Sequence, residues 1–422
     1  PVMACQCLSG ICPTRISETQ NSMTADSATA GIDPNASARR NARILAAAQA
    51  LCGSAAPISI ALGGLAGFYL LGTDKSLATA PVTGYNIGVA LSALPAAMLM
   101  ARIGRRLGFI SGAVVGIVGT LISSFAIVQG SFVLFCIGML LSGGGGAFTQ
   151  QYRFAAADQG TNEFKPKAIS WVLAGGIFAA IIGPQTAIYF RNLFSPIEFA
   201  GAYFAGSFLL FAGIIALSFL RFDKPMSKED RKNADTGRPL AEIILQPRFM
   251  VSVLCAVGAY ALMSFVMTGA PLAMKLCGFD PDVSTQGIMF HVLAMFGPSF
   301  FTGNLIARFG KEKIVATGMA ILAACAVVAL IGITLAHFYI ALVLLGIGWN
   351  FGFIGATAML TDTYRPEEKA KAQGANDFIL FGMVAFGSFM SGQTLNAFGA
   401  SGWDAINWTV FPVVMVCLIS LM

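Results

Sequence analysis

Eleven long apolar runs constrain the fold of this chain more than any other feature of its sequence. Each is long enough for an α-helix to cross a bilayer, which takes about 20 residues. The runs are 44–72, 78–101, 108–128, 131–153, 167–190, 200–221, 249–274, 283–306, 313–334, 336–360 and 372–397. They are too long and uninterrupted for barrel strands, which alternate over about 10 residues. The sequence therefore predicts an all-α integral membrane protein.

A twelfth apolar run starts near Asn407 and reaches Met422. It is shorter than a full crossing, so twelve transmembrane helices are predicted and it stays open whether the last is truncated. Composition agrees with a lipid-embedded chain, because 56% of the 422 residues are hydrophobic and 11% are charged. Soluble domains carry about 25% charged residues.

Several function classes lack their sequence signatures. The net charge of +6 comes from short basic clusters between apolar runs, which does not suit a nucleic-acid groove. The nine cysteines form no Cys-x-x-Cys pair and are interpreted as small buried hydrophobes. Two histidines are too few for a His-rich zinc site. No lysine follows the glycines at 143–146, so a nucleotide-binding loop is not predicted. We expect no metal and no other cofactor.

The basic residues predict the orientation. All but three of the 26 lysines and arginines fall on the side that holds the N-terminus, the exceptions being Lys75, Arg191 and Lys275. Basic loops stay in the cytoplasm. The N-terminus of this multi-pass protein of the cytoplasmic membrane is therefore predicted inside. Residues 1–43 are polar, lack a signal-peptide core and are expected to be a disordered cytoplasmic tail.

The chain divides into two similar halves. A polar stretch at 223–242 separates six runs from six, which predicts halves at 44–221 and 247–422 joined by a cytoplasmic linker at 222–246. Three motifs recur in order at offsets of 204 to 208 residues: ARIGRR at 101 with ARFGKEK at 307, Asp158 with Asp362, and GPQT at 183 with SGQT at 391. Three matches in order indicate duplicated six-helix halves.

With these features the chain resembles the major facilitator superfamily of transporters over residues 44–422. The family's loop signature is Gly-x-x-x-Asp-Arg-x-Gly-Arg-Arg. The matching positions are Arg102, Gly104, Arg105 and Arg106 in the first half, and Gly303, Arg308, Gly310 and Lys311 in the second. Ala101 and Ala307 replace the Asp in both halves. The resemblance implies two pseudo-symmetric six-helix bundles, alternating access, a monomer and ion coupling, most often to protons.

In the family this Asp helps to lock one conformation. Its absence in both halves suggests that other charged residues form the lock here. Asp158 and Asp362 end the fourth and tenth runs, where they can pair with Arg102 or Arg105 and with Arg308 or Lys311. Asp377 can face the first basic loop across the halves. In this hypothesis the pairs form only when the cytoplasmic side is closed. The alternative is that all three are ordinary solvated loop charges.

Polar residues at membrane depth are costly and are candidates for binding a solute near the midplane. The predicted substrate-binding residues are Gln49, Asn86, Gln150, Arg153, Trp349 and Asn350. Hydrogen bonding between helices is the alternative for each amide. Arg153 has three interpretations: it holds a carboxylate or phosphate, it pairs with Asp158, or it extends to the interface.

Coupling and gating need charged or titratable groups. The candidates are Asp158, Asp362, Asp377, His291, Arg102, Arg105 and Arg308. His291 has the side chain that titrates near physiological pH, although a lone membrane histidine is also a common packing residue.

These features predict a secondary-active transporter for a small organic solute. Proton coupling is expected from the resemblance, and the GPQT motif slightly favours efflux. Uptake of a vitamin or an organic acid is the alternative. A membrane enzyme is not predicted, because paired acids and His clusters are missing. A transport-fold sensor remains the alternative from another class.

Overall fold

A computed structural model describes residues 35–158, 161, 164–222 and 237–422. In this part of the chain, eleven helices are long and apolar enough to cross a membrane, or twelve spans when a pair bent by 42° counts as one. In chain order, spans 1 to 12 are Ala36–Leu70, Ala80–Ile103, Arg105–Val128, Phe132–Ala156, Lys167–Phe190, Ala200–Ser218, Pro247–Leu276, Pro281–Phe296 with Ser299–Phe309, Lys311–Ile331, Leu335–Leu360, Lys371–Phe398 and Gly402–Ser420. The predicted all-α membrane fold is confirmed.

Two predicted boundaries are wrong. Residues 36–43, assigned to a disordered tail, form the first turns of span 1, where Asn41 is buried and donates to the Arg221 carbonyl. The rest of that tail, residues 1–34, lies outside the described residues. Span 12 begins at Gly402, earlier than the predicted Asn407. Its first helix is Gly402–Trp408, which lies mostly before the predicted start.

Four spans are interrupted where an unbroken helix was predicted. Span 1 is interrupted at Gly53 and Ser54, span 4 at Gln150 and Gln151, span 8 at Gly297 and Pro298, and span 12 at Thr409. Proline explains the break in span 8, because it lacks the backbone N–H that continues the helix. Broken spans are typical of helices that surround a transport site.

We call the end of the bundle that carries the span 6–7 connection the linker face, and the other end the opposite face. Span 2 packs along span 11 and span 5 along span 8, so these four helices join the two sequence halves. The glycines at 143–146 allow close packing within the first half. A Cβ at Gly143 would clash with the Tyr85 carbonyl of span 2, so only glycine fits there.

A buried ion pair anchors the end of the connection between the halves. Glu368 is fully buried and accepts from the Arg238 guanidinium at 2.7 and 2.8 Å and from the Arg238 backbone N–H at 2.9 Å. Arg238 also donates to the Thr363 carbonyl. These hydrogen bonds hold the pKa of the Glu368 carboxyl well below its usual range. The segment after Gly237 is thereby fixed to the loop before span 11.

Asn350 of span 10 holds the break in span 8. Its Nδ2 donates to the Met295 carbonyl at 2.6 Å and to Ser299 Oγ at 2.7 Å, and its Oδ1 accepts from Thr302 Oγ1 at 2.6 Å. Met295 precedes the break, and the two hydroxyl residues follow it. The side chain is fully buried, so these three partners meet its hydrogen-bonding needs where no water can.

We predict that Asn350→Ala lowers the stability of the protein by about 1–3 kcal/mol, because it leaves buried polar groups without partners. The measurement is the midpoint of thermal unfolding in detergent. Asn304→Ala, at an exposed position of the same broken span, is the matched control. Equal midpoints for the two variants would contradict the role given to Asn350.

Candidate functional site

A central cavity lies among residues from both sequence halves. It encloses about 1330 Å³ of empty space, including its opening to solvent. Spans 1 to 6 contribute lining residues from the first half, and spans 7, 8 and 11 contribute them from the second. Its lining is mostly apolar with a few polar side chains, as is typical of sites for small organic molecules.

Four predicted substrate-binding residues line this cavity: Gln49, Asn86, Gln150 and Arg153. Two of them lie at interrupted spans. Gln49 is one turn before the break in span 1, and Gln150 is part of the break in span 4. The breaks therefore bring amide side chains to the cavity wall.

Arg153 is the only charged side chain among the described lining residues. Its Nε is buried and has no hydrogen-bond partner among the described residues. Asp377 of span 11 and Tyr260 of span 7 lie close enough to interact with it electrostatically. Asp377 itself accepts from the neighbouring Asn376 amide at 3.0 Å. Arg153 thus presents an unused donor beside a cavity that contains no other charge.

An aromatic cluster forms the second-half wall. The Tyr260 ring meets the rings of Trp349, Phe353 and Phe381 edge to face, with centroids 5.1 to 5.8 Å apart. Tyr260 and Phe381 line the cavity, together with Phe296 and three methionines. Aromatic rings and thioethers form a flat, adaptable surface for a planar solute.

A hydrogen bond crosses the halves at the wall of the cavity. Asn86 Nδ2 of span 2 donates to Ser388 Oγ of span 11 at 2.7 Å, and Ser388 Oγ lies 2.7 Å from Ser264 Oγ of span 7. Asn86 and Ser264 line the cavity, whereas Ser388 is buried behind them. The cavity wall is thus tied together by polar side chains.

Trp349 and Asn350 are not brought to the cavity. Trp349 is buried behind Tyr260 and stacks on Phe353 at 5.1 Å, and the Asn350 amide is occupied at the break in span 8. His291 is also fully buried away from the lining, with Nδ1 2.8 Å from the Leu342 carbonyl. All three are packed within the second half, which agrees with the interhelical alternative for Asn350 and the packing alternative for His291, and Trp349 and Asn350 do not belong to the cavity wall.

The gating candidates differ in their surroundings. Asp362 pairs with Lys311 at 2.6 Å and with Arg248 at 2.8 Å. Burial alone would raise the pKa of Asp362, but the hydrogen bonds from Lys311 and Arg248 outweigh it and lower this pKa. All three residues belong to the second half. Their pairing therefore needs no contact between the halves, which differs from the hypothesis that it forms only on closure.

The matching pair of the first half, Asp158 with Arg102 or Arg105, lies partly outside the described residues. The side chain of Asp158 is not among the described residues, although its backbone ends the helix that follows Gln151. Arg105 is half-buried, and Arg102 is exposed. Arg308 is exposed and lies 5.2 Å over the Phe309 ring. Its role in gating stays a prediction.

Charged contacts close the opposite face between the halves. Arg191 Nη1, after span 5, lies 2.9 Å from Asp282 Oδ1 and 3.3 Å from Asp280 Oδ1 at the start of span 8. Lys275 of span 7 lies 5.3 Å over the Phe68 ring of span 1. Gln393 of span 11 donates to the Ser76 carbonyl before span 2 at 2.8 Å. These contacts close the end of the cavity that points away from the linker face.

Sequence reasoning missed several of these residues. Tyr260, Phe381 and Ser264 did not stand out among many aromatic and hydroxyl residues in apolar runs. Arg191 carried a usable signal, because it is one of the three basic residues on the sparsely charged side and faces the Asp-Pro-Asp sequence at 280–282.

Two helical sets that meet along spans 2, 5, 8 and 11, with a cavity between them closed at one face, define a membrane transporter. The sequence model of the Major Facilitator Superfamily matches residues 44–302 and 298–422. The chain belongs to this family.

Relatives agree with the family. The chain is 50% identical over 384 residues to "Riboflavin transporter RfnT" of Brucella anthropi, covering 91% of this chain and 95% of the relative. It is 30% identical over 376 residues to "Uncharacterized MFS-type transporter YddS" of Bacillus subtilis, covering 85% of both chains. The structure resembles the transporter FucP in its outward conformation, with a TM-score of 0.60 and 13% identity over 90% of this chain and 98% of FucP. This last likeness shows the fold.

We predict that Arg191→Gln opens the opposite face, because the ion pairs with Asp280 and Asp282 are lost. The measurement is the distance between spin labels at Leu77 and Leu276, which we expect to shift to longer values. Lys167→Gln, exposed on the linker face, is the control.

The contact between Arg191 and Asp280 is expected to hold from pH 8 to pH 5. The pKa of Asp280 is lowered, first by the backbone N–H of Asp282 and then by Arg191. A carboxylate with a depressed pKa contributes fully above its unperturbed pKa of about 3.9, and its contribution is lost only as the pH falls through the depressed value. In Asp282→Asn, where Asp280 is the remaining carboxylate partner of Arg191 among the described residues, opening of the face between pH 8 and pH 5 would contradict this.

Proposed function

We propose that the protein carries a flavin, with riboflavin as the first solute to test, across the membrane by alternating access. The observation behind this is the cavity wall, which joins a flat aromatic and thioether surface to amide and hydroxyl groups and one arginine. The 50% identical relative named as a riboflavin transporter supports the same solute class.

The chemistry of riboflavin suits the groups on the cavity wall. Its tricyclic ring is planar and stacks well on rings such as Tyr260 and Phe381. The carbonyls of its pyrimidine edge accept hydrogen bonds, which the buried Nε of Arg153 offers without a competing partner. Gln49 and Gln150 supply both donors and acceptors nearby. The solute is uncharged, so no second buried charge is needed.

We propose uptake of a vitamin, which was the alternative from the sequence, in place of the slightly favoured efflux. That preference depended on the GPQT motif, but packing accounts for its glycine, since a Cβ at Gly183 would lie 2.7 Å from the Ser54 carbonyl at the break in span 1. In the proposed orientation the linker face and the N-terminus are cytoplasmic, as the basic loops indicate. The closed opposite face then faces outwards, and the cavity opens to the cytoplasm. The protein is proposed to work as a monomer.

Asp377 is the proposed proton-coupling residue. It lies on span 11 in the second half and interacts electrostatically with Arg153 of the first half. Movement of the halves changes the distance between these two charges. Protonation of Asp377 would release Arg153 from this attraction and leave its donors to the solute. The gating roles of Asp158 and Asp362 are proposed as a separate contribution at the linker face.

The test is riboflavin exchange in proteoliposomes that contain the purified protein. We expect labelled riboflavin to enter against an internal unlabelled pool. Arg153→Gln should weaken riboflavin binding, measured by quenching of flavin fluorescence, by about tenfold or more, since a hydrogen bond from a charged donor contributes about 1.5–3 kcal/mol. Lys167→Gln, exposed at the linker face, is the control. Exchange of other solutes but not of flavins would overturn the proposed solute, and binding without any exchange would favour a sensor.

A second measurement tests coupling. Asp377→Asn should abolish accumulation of riboflavin driven by a proton gradient, while exchange without a gradient continues. Asp404→Asn, exposed near the opposite face, is the control and should accumulate like the wild type. Gradient-driven accumulation by Asp377→Asn would exclude Asp377 as the coupling group.

A further inference from the structure

The polar chain from Asn86 to Ser264 has a direction that follows from its donors and acceptors. Ser388 Oγ accepts from Asn86 Nδ2 at 2.7 Å and from Thr268 Oγ1 at 3.4 Å. Its single proton is then free to go to Ser264 Oγ at 2.7 Å, and Ser264 donates in turn to the Val384 carbonyl at 3.4 Å. The donors therefore run from Asn86 through Ser388 and Ser264 to the Val384 carbonyl.

This direction leaves specific atoms for a ligand. The hydrogen bonds of the described residues use one Nδ2 proton of Asn86, which leaves its Oδ1 acceptor and its second Nδ2 proton on the cavity wall. Two more groups line the cavity on spans 2 and 4. The Tyr85 side chain is buried against Gly146, and Ser142 is 3% exposed with an Oγ that lacks any described partner. A buried hydroxyl without a partner on a cavity wall points to a ligand that supplies one.

The depth of these groups is also defined. Span 2 begins at the opposite face, so Tyr85 and Asn86 lie within its first two turns from that face. Arg153, by contrast, lies near the linker-face end of span 4. The cavity therefore has a hydroxyl and amide subsite at its closed end and the arginine towards its open end.

We propose that Asn86, Ser142 and Ser264 form the subsite for the hydroxyl chain of the solute. This rests on the proposed function, and it adds the orientation of the ligand: the polyol lies at the closed end and the pyrimidine edge lies near Arg153. Each hydroxyl of such a chain both donates and accepts, which matches the free Oδ1 of Asn86 and the unpartnered Ser142 Oγ.

The same subsite connects binding to opening. The hydrogen bond from Asn86 to Ser388 joins the two halves beside the contacts that close the opposite face. A ligand hydroxyl that accepts the Nδ2 proton now donated to Ser388 replaces this bond by one on the first half and weakens the closure. A polyol therefore promotes opening of the opposite face, whereas a bare ring in the same cavity does not.

The affinity test compares riboflavin with lumiflavin, which has the same ring but a methyl group in place of the hydroxyl chain. We expect the wild type to bind riboflavin about tenfold more tightly, measured by quenching of flavin fluorescence. Asn86→Ala and Ser142→Ala should each reduce this preference several-fold and leave lumiflavin binding as it is. Thr394→Val is the matched control, because the Thr394 hydroxyl bonds only to the Met390 carbonyl of its own helix.

The outcomes separate this proposal from the proposed function. Failure of the wild type to bind either flavin overturns the proposed function. Binding of both flavins, with the two affinities lowered equally by Asn86→Ala and Ser142→Ala, overturns the hydroxyl subsite alone. Variants that fail to fold are recognised by their elution profile in detergent, and Asn86→Asp, which keeps the size of the side chain but removes its donors, then replaces Asn86→Ala.

Opening is tested with a cysteine at Thr79, which is buried where span 2 meets Gly392 of span 11. In a background without native cysteines, riboflavin should raise the rate at which an impermeant maleimide labels this site several-fold, and lumiflavin should not. Ser388→Ala should raise the rate without any ligand. Equal labelling with riboflavin, with lumiflavin and without ligand would overturn the connection between binding and opening.

Discussion

The closure between the two halves at the opposite face is the interaction on which the rest of this structure depends. It surrounds Arg191, whose side chain is 9% exposed, with two carboxylates from the other half. A guanidinium removed from water needs such partners, because an unpaired buried charge is strongly unfavourable. All three basic residues that depart from the charge pattern of the loops lie at this closure, since Lys75 and Lys275 both lie over Phe68. These contacts explain why the three basic residues lie on the side that has few other basic residues.

Closure at one face makes the two ends of the cavity different. The cavity is partly open to solvent, and near the closed end the amide of Asn86 is held by a protein partner, Ser388. The breaks in spans 1 and 4 bring amides into this space, whereas the break in span 8 uses Asn350 for its own backbone. The same amide chemistry thus lines the cavity at spans 1 and 4 and holds a broken helix at span 8.

The spans could be predicted from the sequence because one physical requirement, the thickness of the bilayer, fixes both the length and the apolar character of each run. Gln49, Gln150 and Arg153 were predicted for the same reason, as polar groups are costly at this depth. The breaks could not be predicted, since Gly53-Ser54 and Gly297-Pro298 are also compatible with a continuous or bent helix. Nor could Asn350 be separated from Asn86, because the rotation of each helix about its axis is fixed by packing between halves that are far apart in sequence. Tyr260 was overlooked for the same reason.

The ion pair between Arg238 and Glu368 also determines where the chain tolerates redesign. Because the segment from Gly237 onwards is fixed to the loop before span 11, it behaves as part of the second half and not as a tether. A chain divided after Phe222 would keep Arg238 and Glu368 together in the second fragment. A cut between Arg238 and Pro247 would remove the guanidinium and leave a buried carboxylate in the second fragment. Two-fragment complementation, or insertion of a reporter domain, is therefore best placed before residue 237.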